Sequence, residues 1–147
     1  MHGDSMEQEL INQLLALPGE TIHLEKGEFL FHEGDIADHF FIVREGRLSI
    51  KKFEASGHIF AHRLVGPNNV LGEIPLYETN TRTYVFNAIA REKCSVYSIR
   101  YDVLEPAIAK DHSLAIAMMK IYTLHMRRQQ AKYRDLLLYG KKGAFYS

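Results

Sequence analysis

The sequence has few of the features that mark a secreted, membrane-spanning or cluster-binding protein. Its single cysteine, Cys94, cannot form an internal disulfide and cannot hold zinc or an iron–sulfur cluster alone. Cys94 lies in the strand-like run KCSVYSI, so we expect a small core residue. No apolar run approaches the ~20 residues of a membrane-spanning helix. Because the polar N-terminus MHGDSMEQEL has no signal-peptide core, we expect a cytoplasmic protein without a membrane partner.

Short catalytic motifs are also lacking. The sequence has no Gly-x-Ser-x-Gly, no His-Glu-x-x-His and no glycine-rich phosphate loop ending in Lys-Ser/Thr. His58 and His62 share one face of a predicted strand, but no third ligand joins them at a fitting spacing. We therefore predict no metal site and no enzyme activity. A cupin-like metal enzyme is the rival interpretation, because that class is also a small β-barrel.

The charges are balanced overall but unevenly placed. The 147 residues suit one domain, with 46% hydrophobic and 24% charged residues. Residues 1–118 carry 11 Lys and Arg against 17 Asp and Glu, whereas residues 119–147 carry 7 against 1. A basic end on an acidic body indicates an anionic partner beyond the C-terminus. A solvated helix face is the alternative explanation.

The first 100 residues pass from a short helix to strand-like periodicity. Residues 6–17 have apolar residues at helical spacing, and Pro18-Gly19 ends that pattern. Strand-like runs then alternate with turn residues, at 21–25, 29–31, 39–44, 47–53, 58–64, 69–71, 84–90 and 95–100. Eight such strands predict a closed barrel or sandwich. The Glu45-Gly46 step predicts a tight hairpin in which Gly46 takes a positive φ.

Helical periodicity returns at residue 101. Asp102 and Glu105, three residues apart, predict a capping box for a short helix. Asp111 predicts the N-cap of a second helix that reaches about Leu138 and is ended by Gly140. At 1.5 Å per residue that helix would be roughly 40 Å long.

The long helix carries two apolar stripes. The first can pack on the barrel and consists of Leu114, Ala117, Ile121 and Leu124. The second follows alternating steps of four and three and consists of Ala115, Met119, Tyr122, Met126, Gln129, Tyr133 and Leu136. Such a heptad seam pairs two helices, so we predict a homodimer through the long helix. A helix buried on two sides of a larger domain is the alternative.

Two segments resemble a known family. FHEGDIADHFFIVREGRLSI at 31–50 resembles the beginning of cyclic-nucleotide-binding domains, with matching positions at Phe31, Gly34, Asp35, Phe41, Ile42, Gly46 and Leu48. VLGEIPLYETNTRTYVFNAIA at 70–90 resembles their phosphate-binding cassette, and we call residues 70–90 the cassette. The long helix and the run LLLYGKK are similar to the CRP/FNR transcription regulators in particular.

The resemblance implies an architecture and a function. The fold would be mainly β, an antiparallel β-roll or jelly roll with a short N-terminal helix and a long C-terminal dimerisation helix. Residues 1–110 would form the effector domain and 111–139 the dimerisation helix. Residues 140–147 would form a hinge and the start of a helix-turn-helix domain missing from this chain. DNA would be bound through that domain, and RNA polymerase is a further partner that the family suggests. A stand-alone cyclic-nucleotide-binding module is the alternative.

The resemblance also implies a ligand site. Gly72 would let the backbone approach a phosphate, and Glu73 and Ile74 would begin a short helical turn whose N–H groups face an anion. Glu73 would also accept from a ribose hydroxyl, while Arg82 and Thr83 would contact the phosphate. On the long helix, the region facing the base would hold Arg128 and Gln129. The expected effector is a cyclic nucleotide or another small anion, and no tightly held cofactor is assigned.

Departures from the family pattern count against cyclic AMP. Tyr84 stands where a small residue usually keeps the phosphate site open, and Pro75 removes one backbone donor. We therefore expect Tyr84 to narrow the phosphate end, unless its ring rotates outward. Arg82 would then pair with Glu73 or hold another anion, because an unpaired buried guanidinium is costly. His125 is a further candidate ligand contact, with a packed or exposed histidine as the alternative.

Overall fold

The computed structural model describes the backbone of residues 2–53, 55–57 and 59–135, and the side chains of residues 8–53, 55–57 and 63–127. Within this part of the chain one helix precedes a series of short strands, and two further helices follow it. The elements are α1 His2–Leu15, β1 Glu20–Leu24, β2 Phe29–Phe31, β3 His39–Glu45, β4 Leu48–Phe53, β5 Ile59–Val65, β6 Val70–Leu71, α2 Glu73–Leu76, β7 Asn87–Ala90, β8 Cys94–Arg100, α3 Tyr101–Lys110 and α4 His112–Asp135.

The strands form two antiparallel four-stranded sheets that enclose the core. One sheet has the order β1-β8-β3-β6 and the other the order β2-β7-β4-β5. The largest fully buried side chains come from both sheets and from the helices, and include Phe40, Ile42, Leu48, Ile99 and Leu104. The predicted β-roll with flanking helices is therefore confirmed.

Strand β3 is buried along four successive residues, Phe40 to Val43. Helix α3 packs against β3 and β8, so the outer face of these strands is covered while the inner face points into the barrel. A strand covered on both faces has a continuous apolar run instead of an alternating one. The cassette begins with β6, which pairs with β3. This packing therefore brings α3 close to the cassette.

The second strand of the cassette, β7, begins at a later residue than the sequence predicts. The strand expected over 84–90 is observed only as β7, Asn87–Ala90. Residues 82–84 instead bond to the loop before β3, where Thr83 forms an isolated bridge with Ile36. These residues are therefore held as a separate arm that can face the helices.

Cys94 is buried at the start of β8, as predicted. Its Sγ donates to the carbonyl oxygens of Arg47 and Glu92, both at 3.1 Å. Burial raises the pKa of this thiol, which keeps it in the protonated, unreactive form.

The capping prediction is correct for α4 and wrong for α3. Asp111 Oδ1 accepts from the N–H groups of Ser113 and Leu114, as an N-cap carboxylate does. Helix α3 continues directly from β8 with Arg100 at the N-cap position, so Asp102 already lies in the first turn. Its carboxylate binds the Arg100 guanidinium and does not cap the helix.

Helix α4 packs one face on the body and leaves another exposed. Leu114 and Ile121 of the first predicted stripe are buried, together with Met118. Met119 and Met126 of the second stripe are 64% and 42% exposed. The stripe positions Gln129 and Tyr133 have side chains outside the described residues, as do His58 and His62. Leu136 and the predicted end at Leu138 and Gly140 lie wholly outside them, as does the predicted hinge at 140–147.

Hydropathy also limits what the helices can do. Among the described residues, no helix combines the length and apolarity that crossing a bilayer requires.

The hairpin between β3 and β4 depends on Gly46. Its φ is 78°, as the sequence predicts, and an added Cβ would lie 2.3 Å from the carbonyl oxygen of Lys93. Real Cβ atoms do not approach a backbone oxygen so closely, and the backbone cannot swing aside as a flexible side chain can. Only glycine therefore fits this turn without distortion.

We expect Gly46→Ala to lower the free energy of unfolding by about 3 kcal/mol, combining the left-handed conformation with overlap against Lys93. Gly27→Ala is the matched control, because Gly27 has φ 91° and open space around the added Cβ. It should cost only about 1 kcal/mol. Equal losses in urea denaturation would show that the contact with Lys93 is not what restricts this position.

Candidate functional site

A left-handed glycine near the start of the cassette approaches β3 closely. Gly72 has φ 87° and stands at the N-cap of α2. A Cβ there would lie 2.8 Å from the carbonyl oxygen of His39, so the close approach requires glycine. The Tyr101 hydroxyl donates to the carbonyl oxygen of Gly72 at 2.5 Å. This bond ties the first residue of α3 to the first turn of the cassette.

Backbone hydrogen bonds hold the other arm of the cassette. Tyr84 N–H donates to the carbonyl of Asp35, and the Tyr84 carbonyl accepts from Gly34 N–H, at 3.0 and 2.8 Å. The Arg82 carbonyl accepts from Ala37 N–H at 2.9 Å. Since both backbone partners of Tyr84 are fixed, residues 82–84 present their side chains in set directions.

Arg82 pairs with a carboxylate of α3. Its Nη1 and Nη2 atoms donate to Oε1 and Oε2 of Glu105 at 2.7 and 3.2 Å, a bidentate arrangement. Its Cζ lies 5.5 Å from the centroid of the Tyr101 ring. The guanidinium holds the pKa of Glu105 below its usual range. Of the two predicted alternatives for Arg82, pairing with Glu73 is wrong, because the guanidinium is bound by Glu105, one helical turn after Tyr101. Binding of another anion stays a prediction.

Glu73 instead pairs with the long helix. Its Oε1 accepts from Nδ1 of His125 at 2.7 Å, and the two side chains are only 5% and 11% exposed. A carboxylate oxygen accepts, so this hydrogen bond uses the tautomer in which Nδ1 carries a hydrogen. The second oxygen, Oε2, is buried and has no hydrogen-bond partner among the described residues. His125 is thus a packed residue, and its hydrogen-bond partner is Glu73 of the cassette.

A second contact joins the cassette to α4. The Tyr77 ring meets the Tyr122 ring edge to face, with centroids 5.5 Å apart. Burial, together with the nearby Glu73 carboxylate, raises the pKa of Tyr77. Tyr122 belongs to the second predicted stripe of α4, so the cassette touches the edge of that stripe.

Tyr84 points into the barrel. Its ring stacks on Phe31 with centroids 4.0 Å apart, and its hydroxyl donates to the His39 carbonyl at 3.0 Å. Burial raises the pKa of Tyr84 to about 12, so the phenol stays protonated at neutral pH. The ring has not rotated outward and lines the cleft together with residues of α2. That it narrows a phosphate site stays a prediction.

The space between α2 and the Tyr84 arm is a small cleft. It is lined by Gly72, Glu73, Ile74, Pro75, Tyr84, Val85 and Phe86. The cleft holds about 180 Å³ of space between these residues and is open to solvent. Tyr84 thus forms part of the wall that faces α2.

The predicted site residues are only partly brought together. Gly72, Glu73 and Ile74 line the cleft, whereas Arg82 and Thr83 lie outside its lining. The side chains of Arg128 and Gln129 lie outside the described residues, so their assignment as ligand contacts stays a prediction.

Sequence reasoning overlooked Tyr101 and Glu105. The predicted capping box assigned Glu105 to the wrong partner. One signal was available: a spacing of four residues puts Tyr101 and Glu105 on the same face of a helix.

Comparison with known proteins shows the family to which this fold belongs. Residues 21–111 match the family model described as the cyclic nucleotide-binding domain. The chain belongs to this family. The CRP/FNR relationship identified from the sequence is also confirmed by the relatives that the chain matches.

Two curated relatives are regulators. The chain is 34% identical over 124 residues to the anaerobic regulatory protein of Bacillus subtilis, covering 84% of this chain and 52% of that protein. It is 21% identical over 118 residues to a CRP-like cAMP-activated global transcriptional regulator of Mycobacterium tuberculosis, covering 80% and 52%. The chain thus spans about half the length of these relatives. Neither is named as an enzyme.

A solved structure supports the fold. A transcriptional regulator from Thermotoga maritima superposes with a TM-score of 0.73 at 23% identity, covering 88% of this chain and 98% of the other. At this identity the similarity concerns the fold alone.

We expect His125→Ala to lower the free energy of unfolding by about 3 kcal/mol, because it leaves the buried Glu73 carboxylate without a partner. His112→Ala is the matched control, since His112 is exposed at the first residue of α4. It should change stability by less than about 0.5 kcal/mol. The measurement is chemical denaturation of both variants and the parent chain.

The double variant Glu73→Leu, His125→Leu separates pairing from packing. Removing both polar groups together should recover most of the loss, since no unpaired buried charge remains. A double variant no more stable than His125→Ala would contradict the assigned role of the pair.

Proposed function

We propose that the chain is the effector-sensing and dimerisation part of a CRP/FNR-type DNA-binding transcription regulator of the cytoplasm. The supporting observation is a cassette in direct contact with a long helix on which Met119 and Met126 of the second apolar stripe are exposed. Glu73 and Tyr77 of the cassette touch His125 and Tyr122 of α4. A change in the cassette would thus be transmitted to α4. The names of both curated relatives agree with this role.

The proposed homodimer uses the exposed stripe of α4. Met119 and Met126 lie seven residues apart and are exposed, while Leu114, Met118 and Ile121 on another face pack on the body. A seven-residue apolar repeat on one side of a helix favours pairing with a second helix. We propose a two-fold dimer in which the stripes of two chains meet.

The effector is proposed to be something other than cyclic AMP bound in the usual way. Tyr84 lines the cleft beside α2, and Arg82 is held by Glu105. The CRP-like relative from Mycobacterium tuberculosis is named as cAMP-activated, but at 21% identity that property does not carry over to this cassette.

DNA binding would belong to a part of the protein outside this chain. We propose a helix-turn-helix domain after residue 147, with RNA polymerase as a further partner. The basic residues 119–147 agree with an anionic partner at this end. A stand-alone binding module or a cupin-like enzyme would need no such domain and no dimer seam.

We expect Met126→Asp to weaken the dimer, because it buries a charge in the seam. Lys120→Asp is the control: it places the same side chain six residues away, about 120° around the helix, at an exposed position. Sedimentation equilibrium should show a dimer for the parent and the control and mostly monomer for Met126→Asp. A monomeric parent at high micromolar concentration would refute the proposed dimer.

The regulator as a whole is tested by DNA selection. The gene is read beyond the codon for Ser147, and the full-length protein is used to select DNA from a random library. A regulator of this type should enrich a two-fold symmetric site with half-sites about 34 Å apart. A stop codon directly after Ser147, or no enriched sequence, would refute the proposal of DNA binding.

A further inference from the structure

Among the described residues, two arginines next to α3 each bind a carboxylate of that helix. Arg82 is bound to Glu105, and Arg100 donates to Asp102 at 2.8 Å. A small anion that approached either guanidinium would therefore have to compete with a carboxylate.

Glu73 adds a further negative charge. Its carboxylate is buried beside the cleft and faces His125 through only one of its two oxygens. The other oxygen is an acceptor and would repel the oxygen atoms of a phosphate. Arg82 is the cationic side chain within the cassette, so its pairing bears directly on whether an anion can bind there.

The contact between Arg82 and Glu105 has the form of an anion complex. Both guanidinium nitrogens Nη1 and Nη2 are used by the two carboxylate oxygens, as a phosphate would use them. The Arg82 guanidinium lies over the face of the Tyr101 ring, and the Tyr101 hydroxyl donates to the Gly72 carbonyl. Glu105 and Tyr101 lie one turn apart on α3, so a single helix supplies both contacts.

We propose that Glu105 is a specificity-determining residue: a built-in counter-ion that occupies Arg82 and closes the cassette to small anions such as phosphate and cyclic nucleotides. The inference rests on the proposed sensing function and defines which ligands the site rejects. Side chains of Arg82 and Glu105 are 30% and 46% exposed, so a dissolved anion can reach the pair. The rejection therefore arises from competition for the guanidinium, and not from burial of the pair.

The test is a titration of the whole chain with inorganic phosphate and, separately, with cyclic AMP, by calorimetry at low ionic strength. Low salt is needed because exposed charges are screened at high salt. Glu105→Gln removes the counter-charge and keeps the size of the side chain. Glu78→Gln is the matched control, since it removes one charge from an exposed position close to α2 without touching Arg82. Circular dichroism and thermal melts of each variant establish that it is folded.

The proposal expects Glu105→Gln to bind phosphate about tenfold more tightly than the parent, which corresponds to about 1.4 kcal/mol. Glu78→Gln should not differ from the parent by more than about twofold. The gain should disappear in the double variant Glu105→Gln, Arg82→Ala.

A gain for phosphate alone supports the role of Glu105 and assigns the remaining exclusion of nucleotides to Tyr84. A gain for both ligands supports the role of Glu105 and assigns the whole exclusion to it. An unchanged affinity in folded Glu105→Gln would overturn the proposal, as would tight binding of cyclic AMP by the parent chain. Neither of those two results touches the proposed dimer or DNA binding, which are measured by sedimentation and selection.

Discussion

The buried carboxylate of Glu73 is the constraint on which the arrangement of the site depends. An ionised carboxylate removed from water costs several kcal/mol unless a donor compensates it. That donor comes from His125, on a helix 52 residues further along the chain. The contact between Glu73 and His125 therefore holds the cassette and α4 together, and breaking it would lower the stability of the protein. The edge contact of Tyr77 with Tyr122 fixes the same two elements about one turn away.

The two ion pairs of the cassette differ in environment and therefore in purpose. Glu73 and His125 are almost fully buried, so their separation would leave an uncompensated charge. Arg82 and Glu105 are partly exposed, and exposed pairs usually contribute only about 0–1 kcal/mol. The first pair is consequently structural, because it joins two elements. The second costs little to break, and its main effect is to engage the guanidinium of Arg82.

Periodicity and turn residues were sufficient to predict the fold, but they could not identify side-chain partners. Alternating apolar runs located all eight strands, and the Glu45-Gly46 step correctly located the hairpin with its positive φ. For Arg82 the sequence predicted Glu73 or another anion as the partner, and the observed partner is Glu105. The spacing of Tyr101 and Glu105 places them on one face of α3, but which carboxylate contacts the guanidinium depends on how α3 packs against β3 and β8, which is a tertiary property. Likewise, Asp102 had the right spacing for a cap, yet β8 runs directly into α3 and leaves no capping position for it.

Two faces of helix α4 differ in their contacts: one packs on the core and the cassette, and the other is exposed. Met118 and Ile121 pack on the core, and His125 reaches the cassette from the same side. Met119 and Met126 lie about 90° around the helix and remain exposed. A helix is stiff along its length, so a shift at His125 must also move the exposed stripe. Since Tyr122 lies between Met119 and Met126 and itself touches Tyr77, the contact with the cassette reaches the edge of the proposed seam. Any ligand that rearranged Glu73 would therefore change the position of the surface through which two chains would pair.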